Sequence, residues 1–154
     1  MKGIIAAFAT ILVMAFFAGT ISAQDIEFKK SDQWEFMYEI DGVNFYYKAT
    51  ECHDESQGYH REYVLLKLEN TNDYSVVVDY DVEMYFHNEC FNCGDKLNSE
   101  HHRTAYIEGN STIEGTCTIG EDKTLKIFSR FLNYDNPKAT LTNFKLINKQ
   151  ITKK

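Results

Sequence analysis

Four cysteines are the residues of this sequence with the most specific chemistry. They stand at positions 52, 90, 93 and 117, and an even cysteine count in an exported chain predicts two disulfides. We expect Cys90 and Cys93 to reach outward, one to Cys52 and the other to Cys117. Each such bridge closes a loop of tens of residues and stabilises the fold by roughly 3–4 kcal/mol. The spacing leaves open which partner each of the two takes.

Two other kinds of thiol chemistry are alternatives. A C-x-x-C pair such as Cys90 and Cys93 serves thiol oxidoreductases at a helix N-terminus after a strand, but here it lies between strand-like runs. A tetrahedral zinc site is the second alternative. Its ligands would come from Cys52-His53, Cys90, Cys93, His101-His102 and Cys117. Only the C-x-x-C half has zinc-ligand spacing, and export favours oxidation, so we predict neither a metal nor a cofactor.

Three carboxylates repeat at every second position of one strand-like run. Asp79, Asp81 and Glu83 would share one face of a strand, about 7 Å apart along it at ~3.3 Å rise per residue. The simpler interpretation is a solvated face with cross-strand cations from Lys67, Lys126 or Arg130. The functional alternative is a Ca²⁺ site or a surface for a basic partner, although no loop has EF-hand spacing.

Three tyrosines fall on the more polar faces of their predicted strands. Tyr46, Tyr63 and Tyr85 could stack on sugars or anchor a protein partner if their rings were exposed and adjacent. The alternative is cross-strand packing beneath lysine side chains. Together with the three carboxylates, these tyrosines form the predicted binding surface.

The sequence contains no motif that predicts catalysis. It lacks a G-x-S-x-G elbow, a P-loop, a dinucleotide glycine fingerprint and an H-E-x-x-H helix. We therefore predict no catalytic residue. A small hydrolase with a carboxylate–histidine site near His53, His60 or His101 stays open as an alternative.

The elements that must position these residues are strands, because apolar and polar residues alternate with period two and no stretch has a sustained helical period. The clearest run spans residues 76–86, and Asp41-Gly42 is typical of a hairpin turn. One polar face per strand predicts antiparallel sheets packed face to face. We expect an immunoglobulin-like β-sandwich of seven or eight strands, in one domain over residues 24–154.

The first 23 residues have the pattern of a cleaved secretory signal. Lys2 precedes an apolar run at residues 4–18, and small residues lead to a predicted cut after Ala23. The apolar run is shorter than the ~20 residues of a membrane span. Cleavage leaves 131 residues with 15 Lys and Arg against 23 Asp and Glu, a net charge of −8. We expect a soluble, secreted or periplasmic protein without a membrane anchor, and the acidic balance argues against nucleic acid as a partner.

The chain resembles a group of small exported bacterial proteins with an immunoglobulin-like sandwich and no assigned activity. The residues that carry the resemblance are Ser22-Ala23-Gln24, Glu51-Cys52-His53, Glu62-Tyr63-Val64-Leu65-Leu66, Leu68-Glu69-Asn70-Thr71, Cys90-x-x-Cys93 and Leu125-Lys126-Ile127-Phe128. The resemblance implies export from a Gram-negative-type cell and a sandwich fold. None of these segments is a catalytic or ligand-binding signature, so no site residue is carried over.

These observations favour a non-catalytic binding module that acts by surface recognition of a protein or a carbohydrate. The alternatives are the small exported hydrolase and a structural accessory or inhibitor of a larger exported complex. The sequence leaves the ligand and the oligomeric state open.

Overall fold

The computed structural model describes residues 28–118 and 123–154, so the predicted signal at residues 1–23 lies outside the described part. The nine strands of this part are β1 (Glu35–Ile40), β2 (Val43–Asp54), β3 (Tyr59–Asn70), β4 (Val76–Phe86), β5 (Glu89–Cys90), β6 (His102–Ile107), β7 (Ser111–Glu114), β8 (Lys126–Phe131) and β9 (Leu141–Lys153). Single-turn 3-10 helices cover Glu55–Gln57, Gly94–Lys96, Lys123–Leu125 and Pro137–Ala139. No helix in these ranges has the length and apolar character that a membrane span needs.

The strands form two antiparallel sheets. In the first sheet, β1 pairs with β2 and β2 with β3, while the far edge of β3 pairs with β7 along residues 67–70 and with β8 along residues 61–65. In the second sheet, β4 lies at the centre, with β9 on one side and β6 and the short β5 on the other. Each sheet therefore has one edge made of two short strands placed end to end.

Alternation along the strands builds one core between the sheets, as in a β-sandwich. The fully buried side chains of β2 and β3 face those of β4, and the central members are Val43, Phe45, Val64, Leu66, Leu68, Val76, Val78 and Tyr80. This confirms the predicted all-β class. The described residues form nine strands rather than seven or eight, because β5 has only two residues and so leaves no alternation to detect.

The hairpin between β1 and β2 follows the local sequence. Asp41 and Gly42 both have positive φ angles, 48° and 77°, which match the right-handed twist of the flanking strands. A Cβ at Gly42 would lie 2.6–2.9 Å from the Asn72 side chain, which donates to the Asp41 carbonyl. The turn thus requires glycine both for its backbone angle and for the approach of Asn72.

The disulfides join Cys52 to Cys117 and Cys90 to Cys93, so the predicted outward pairing is wrong. A two-residue turn at His87 and Asn88, both with positive φ, reverses the chain after β4 and starts β5. The following residues curl back, leaving the Cα atoms of Cys90 and Cys93 5.8 Å apart. That distance is within the range of a disulfide, and Cys52 and Cys117 are then left to pair with each other.

Candidate functional site

A cleft of about 830 Å³ lies between the two sheets, where β3 and β8 of the first meet the start of β6 in the second. The polar and charged side chains of its lining are His53, Tyr59, Arg61, Tyr63, Glu100, His101, Arg103, Lys123 and Lys126. Apolar side chains, including Val82, Met84, Phe128 and Phe131, form the rest of the wall. We call this volume the cleft.

Cations dominate the described lining of the cleft. Two arginines and two lysines face one carboxylate, that of Glu100, which gives +3 at neutral histidines. The whole chain has the opposite sign, −7. Walls of one charge sign and low dielectric concentrate the electric field, so the cleft is a local attractor for anions on an acidic protein.

None of these four cations forms an ion pair among the described residues, and Arg103 differs from the other three in having a buried nitrogen without a hydrogen-bond partner. It stands on β6 in phase with Ala105 and Ile107, both buried, so its side chain points inward from the strand. Its Nη1 donates to the backbone carbonyls of Glu100 and His102, while its buried Nε has no hydrogen-bond partner. Within residues 28–118 and 123–154 it forms no ion pair. A partly desolvated cation without a counter-ion is costly, and an anion would remove that cost.

Arg61 is held in place by aromatic rings rather than by acids. Its guanidinium lies 4.2 Å from the ring centre of Tyr59 and 5.2 Å from that of Phe131, and Nη1 donates to the Tyr63 hydroxyl at 3.4 Å. Cation–π contacts of this kind fix the position of the charge without neutralising it. The cleft therefore presents a second oriented guanidinium.

Lys126 contributes a third fixed cation. Its Nζ donates to the Thr118 carbonyl at 2.8 Å and lies 5.3 Å from the ring centre of Tyr63. The Cys52–Cys117 disulfide ties the segment that carries Thr118 to the end of β2, and both cysteines line the cleft. The bridge thus fixes one wall of the cleft.

An ion cluster around a buried carboxylate stands beside the cleft, and its charges are paired with one another, unlike those of the cleft. Glu62, which is 5% exposed, accepts from Ser129 at 2.7 Å and pairs with Lys30 at 2.6 Å and Arg130 at 3.2 Å. Burial acts to raise the pKa of this carboxyl, but the hydrogen bonds and positive charges of its partners outweigh it and lower the pKa. Glu62 is therefore a satisfied anion.

The acidic row of Asp79, Asp81 and Glu83 lies on the outer face of the second sheet. The partners predicted for it are wrong, because Lys67, Lys126 and Arg130 all belong to the first sheet. Neighbouring strands instead supply Thr104, which donates to Asp79 at 2.6 Å, and the side chains of His102 and Asn148 at 2.9 and 2.8 Å from Asp81. Burial acts to raise the pKa of Asp81, but these two hydrogen bonds outweigh it and lower the pKa.

His102 also places an imidazole between a carboxylate and a hydroxyl, as a hydrolase would. Its Nδ1 is 2.9 Å from Asp81, and its Nε2 is 3.5 Å from the Thr104 hydroxyl. That hydroxyl donates to Asp79 instead, and both His102 and Thr104 are exposed on the sheet face. The arrangement serves cross-strand pairing, since a nucleophile needs its proton directed at the base.

The three tyrosines of the predicted binding surface each lie beneath a lysine. The Nζ–centroid distances are 4.2 Å for Lys67 over Tyr46, 5.3 Å for Lys126 over Tyr63 and 5.8 Å for Lys145 over Tyr85. Tyr46 and Tyr63 belong to the first sheet, and Tyr85 belongs to the second beside Glu83. The six predicted residues are thus divided between the two sheets, and only Tyr63 lines the cleft.

Sequence reasoning missed the cleft cations. The available signal was Arg103, because a charged residue at an apolar position of an alternating run indicates either a buried pair or a site. The positions of Arg61 and Lys123 gave no comparable signal, since both fall in polar stretches.

Comparison with known proteins identified no relative of this chain. No family model, curated protein or solved structure matches the chain. Function is therefore inferred from this chain's own side chains and their geometry.

Proposed function

We propose that this protein is an exported, non-catalytic binding module whose cleft receives the anionic group of a small ligand or of a chain end. In this proposal residues 1–23 direct secretion to the periplasm or beyond, and the two sheets are those of an immunoglobulin-like sandwich. The observation that carries the proposal is the inward-pointing Arg103, whose charge has no acidic partner in the described chain.

The charge distribution supports a compact anion rather than a long one. A long polyanion such as nucleic acid would have to cross the surface of a protein whose net charge is −8 after removal of residues 1–23. A single carboxylate, phosphate or sulfate group can enter the cleft, which Arg61 and Arg103 line, without that repulsion. Arginine favours such groups because its planar guanidinium can donate two parallel hydrogen bonds.

The carboxylate is the group to test first, since an acidic sugar and an acidic peptide both carry it. Calorimetric titration of the mature protein would use galacturonate oligomers in one arm and a triglutamate peptide in the other. Neutral galactose oligomers and a triglutamine peptide are the matched ligands. We expect binding of the charged member of one pair, an affinity that falls as salt rises, and no binding of its neutral counterpart.

Two variants with the same charge change locate the binding. R103Q removes a cleft cation, whereas K67Q removes a cation that lies over Trp34 and Tyr46. We expect R103Q to weaken binding about tenfold or more, because it removes the direct partner of a desolvated anion. We expect K67Q to leave the affinity unchanged.

Equal losses in the two variants would show attraction by overall charge and contradict the proposal. Failure of both acidic probes to bind would contradict it as well. Thermal unfolding of each variant, followed by circular dichroism, confirms that the comparison is made between folded proteins.

A further inference from the structure

A second cluster of ligand-type side chains lies away from the cleft, on the outer face of the second sheet. One carboxylate oxygen of Glu83 and the sulfurs of Cys90 and Cys93 all lie within 4.8 Å of one another, and all three residues are half-buried. Among the described residues it is the one group of three or more such side chains at metal-binding separation. Carboxylate and paired thiolates in C-x-x-C spacing are ligands that Zn²⁺ accepts.

The loop that carries the two cysteines is held by more than its disulfide. Asn92, which is 1% exposed, accepts from the Met84 amide at 2.8 Å and donates to the Val82 carbonyl at 2.7 Å. The Phe91 amide donates to the Met84 carbonyl at 2.8 Å. Breaking the sulfur–sulfur bond leaves these three hydrogen bonds intact, so they can hold both thiols next to Glu83.

We propose that the Cys90–Cys93 disulfide is the oxidised form of a thiol-dependent Zn²⁺ site in which Glu83 is the third protein ligand. Three protein ligands leave a fourth position of the tetrahedron for water or for an atom of a partner. The site is independent of the cleft, so the two proposals can fail separately.

The step that opens the site is thiol–disulfide exchange with an external dithiol. The Cys90–Cys93 bond breaks, the dithiol supplies two electrons and two protons, and it leaves as a disulfide. Zn²⁺ then displaces the two thiol protons, which pass to water, and the carboxylate of Glu83 binds as it stands. Two thiolates and a carboxylate carry three negative charges, of which the ion neutralises two.

Two neighbouring side chains would stabilise the metal-bound site. The Tyr85 hydroxyl is 3.0 Å from Glu83 and 3.5 Å from the sulfur of Cys93, so it can orient ligands from outside the coordination sphere. Lys145 lies directly opposite Glu83 on β9 and offers a positive charge beside the remaining negative one. The Cys52–Cys117 bridge lacks a third ligand at metal-binding separation, because neither cysteine belongs to a group of three ligand atoms among the described residues.

The first experiment compares metal binding by the oxidised and the reduced protein. Mature protein reduced with a phosphine under anaerobic conditions and then desalted would be titrated with Co²⁺, followed by thiolate-to-metal absorption. Native mass spectrometry after addition of Zn²⁺ would give the stoichiometry. We expect one metal ion per reduced chain and none per oxidised chain.

Variants identify the ligands. C90S/C93S should abolish binding, and E83Q should weaken it by about tenfold or more, since even loss of an outer-sphere partner costs 10–100-fold. D79N is the matched control, because it neutralises another carboxylate of the same strand face and should bind as the wild type does. Undiminished binding by E83Q, or the same affinity and stoichiometry in reduced C90S/C93S as in the reduced wild type, would overturn the proposal.

A second measurement does not require full reduction of the protein. At a fixed ratio of reduced to oxidised dithiothreitol, added Zn²⁺ should raise the fraction of Cys90 and Cys93 that alkylation detects as thiols, because metal binds only that form. The fraction for Cys52 and Cys117 should stay constant. An unchanged Cys90–Cys93 fraction over a tenfold range of reducing ratios would contradict the site.

Discussion

The two disulfides differ in loop length and in surroundings. Cys52 and Cys117 are 65 positions apart and join β2 to the segment after β7, beside the ion cluster of the buried Glu62. Cys90 and Cys93 are three positions apart and lie beside Glu83 on an outer sheet face. The first closes a loop of 65 positions, whereas the second constrains a loop that hydrogen bonds already hold.

This difference indicates which of the two bridges is more easily reduced. Whatever a disulfide adds to the stability of the fold, the fold adds to the stability of the disulfide, by thermodynamic reciprocity. The long-range bridge stabilises the fold more, so the fold protects it more strongly from reduction than it protects the short-range bridge. Reduction can therefore change Cys90 and Cys93 while the sandwich persists.

The largest effect is expected for the long-range bridge. C52S/C117S should lower the free energy of unfolding by about 4 kcal/mol, because the variant restores the entropy of a long unfolded loop. Urea titration at neutral pH measures this change. A loss below that of the C90S/C93S variant would reverse the comparison.

The ion cluster beside the long-range bridge should give the next largest effect. E62Q removes the carboxylate that accepts from Ser129, Lys30 and Arg130 and should cost about 2–3 kcal/mol, the value for lost hydrogen bonds to a charged group, since both cations are partly exposed to water. Because the folded pKa of Glu62 lies below the ordinary value of 4.5, its contribution is present above pH 4.5 and is lost as the pH falls through the folded pKa. Urea titrations across pH 3–7 should show that the free energy of unfolding of E62Q falls less steeply towards acid pH, because fewer protons are taken up on unfolding. If the free energy of unfolding of E62Q fell with pH as steeply as that of the wild type, groups other than Glu62 would cause the acid sensitivity.

Asn92 tests whether hydrogen bonds hold the short-range loop. N92A leaves the Met84 amide and the Val82 carbonyl without a partner and should cost about 2 kcal/mol. The same variant, once reduced, should bind Zn²⁺ more weakly than the wild type, since its thiols are less well placed. N88A, in the neighbouring turn, is the control for a general loss of local structure. Full metal affinity in N92A would show that Asn92 does not organise the site.

The smallest effect is expected for the short-range bridge. C90S/C93S should lower the free energy of unfolding by about 1–2 kcal/mol, the chain-entropy value for so short a loop. Urea titration beside C52S/C117S gives the ratio of the two contributions directly. A loss as large as that of the long-range variant would mean that Cys90 and Cys93 hold the edge of the second sheet together.

Local patterns were sufficient for much of the fold. Alternation along residues 43–49 and 76–86 places each side chain on its face, and Asp41-Gly42 specifies the first hairpin. The alternation within a strand does not determine which of the two sheets that strand joins. The alternation leaves Lys67, Lys126 and Arg130 as candidate partners of the acidic row, but β8 pairs with β3 and β6 pairs with β4, so His102 lies beside Asp81 instead. Strand pairing across long stretches of chain depends on packing of the whole core.

The same limit applies to the sites. C-x-x-C spacing was visible in the sequence, but the two-residue turn that returns Cys90 to Tyr85 uses His87 and Asn88, which is a weaker turn signal than Asn-Gly. The approach of Glu83 to both sulfurs follows from that turn. The cleft likewise needs β3, β6 and β8 to meet, and these strands are distant along the chain.

The length of β9 has a consequence for how the protein behaves at high concentration. This strand of 13 residues pairs with β4 and with no other described strand, so its second edge is a row of backbone donors and acceptors that another copy could extend into a fibril. Lys145, Lys149 and Lys153 recur along it, and the ladder shifts register near Asn148, whose φ is 50°. Like charges and an interrupted edge both oppose the pairing of this strand with another copy.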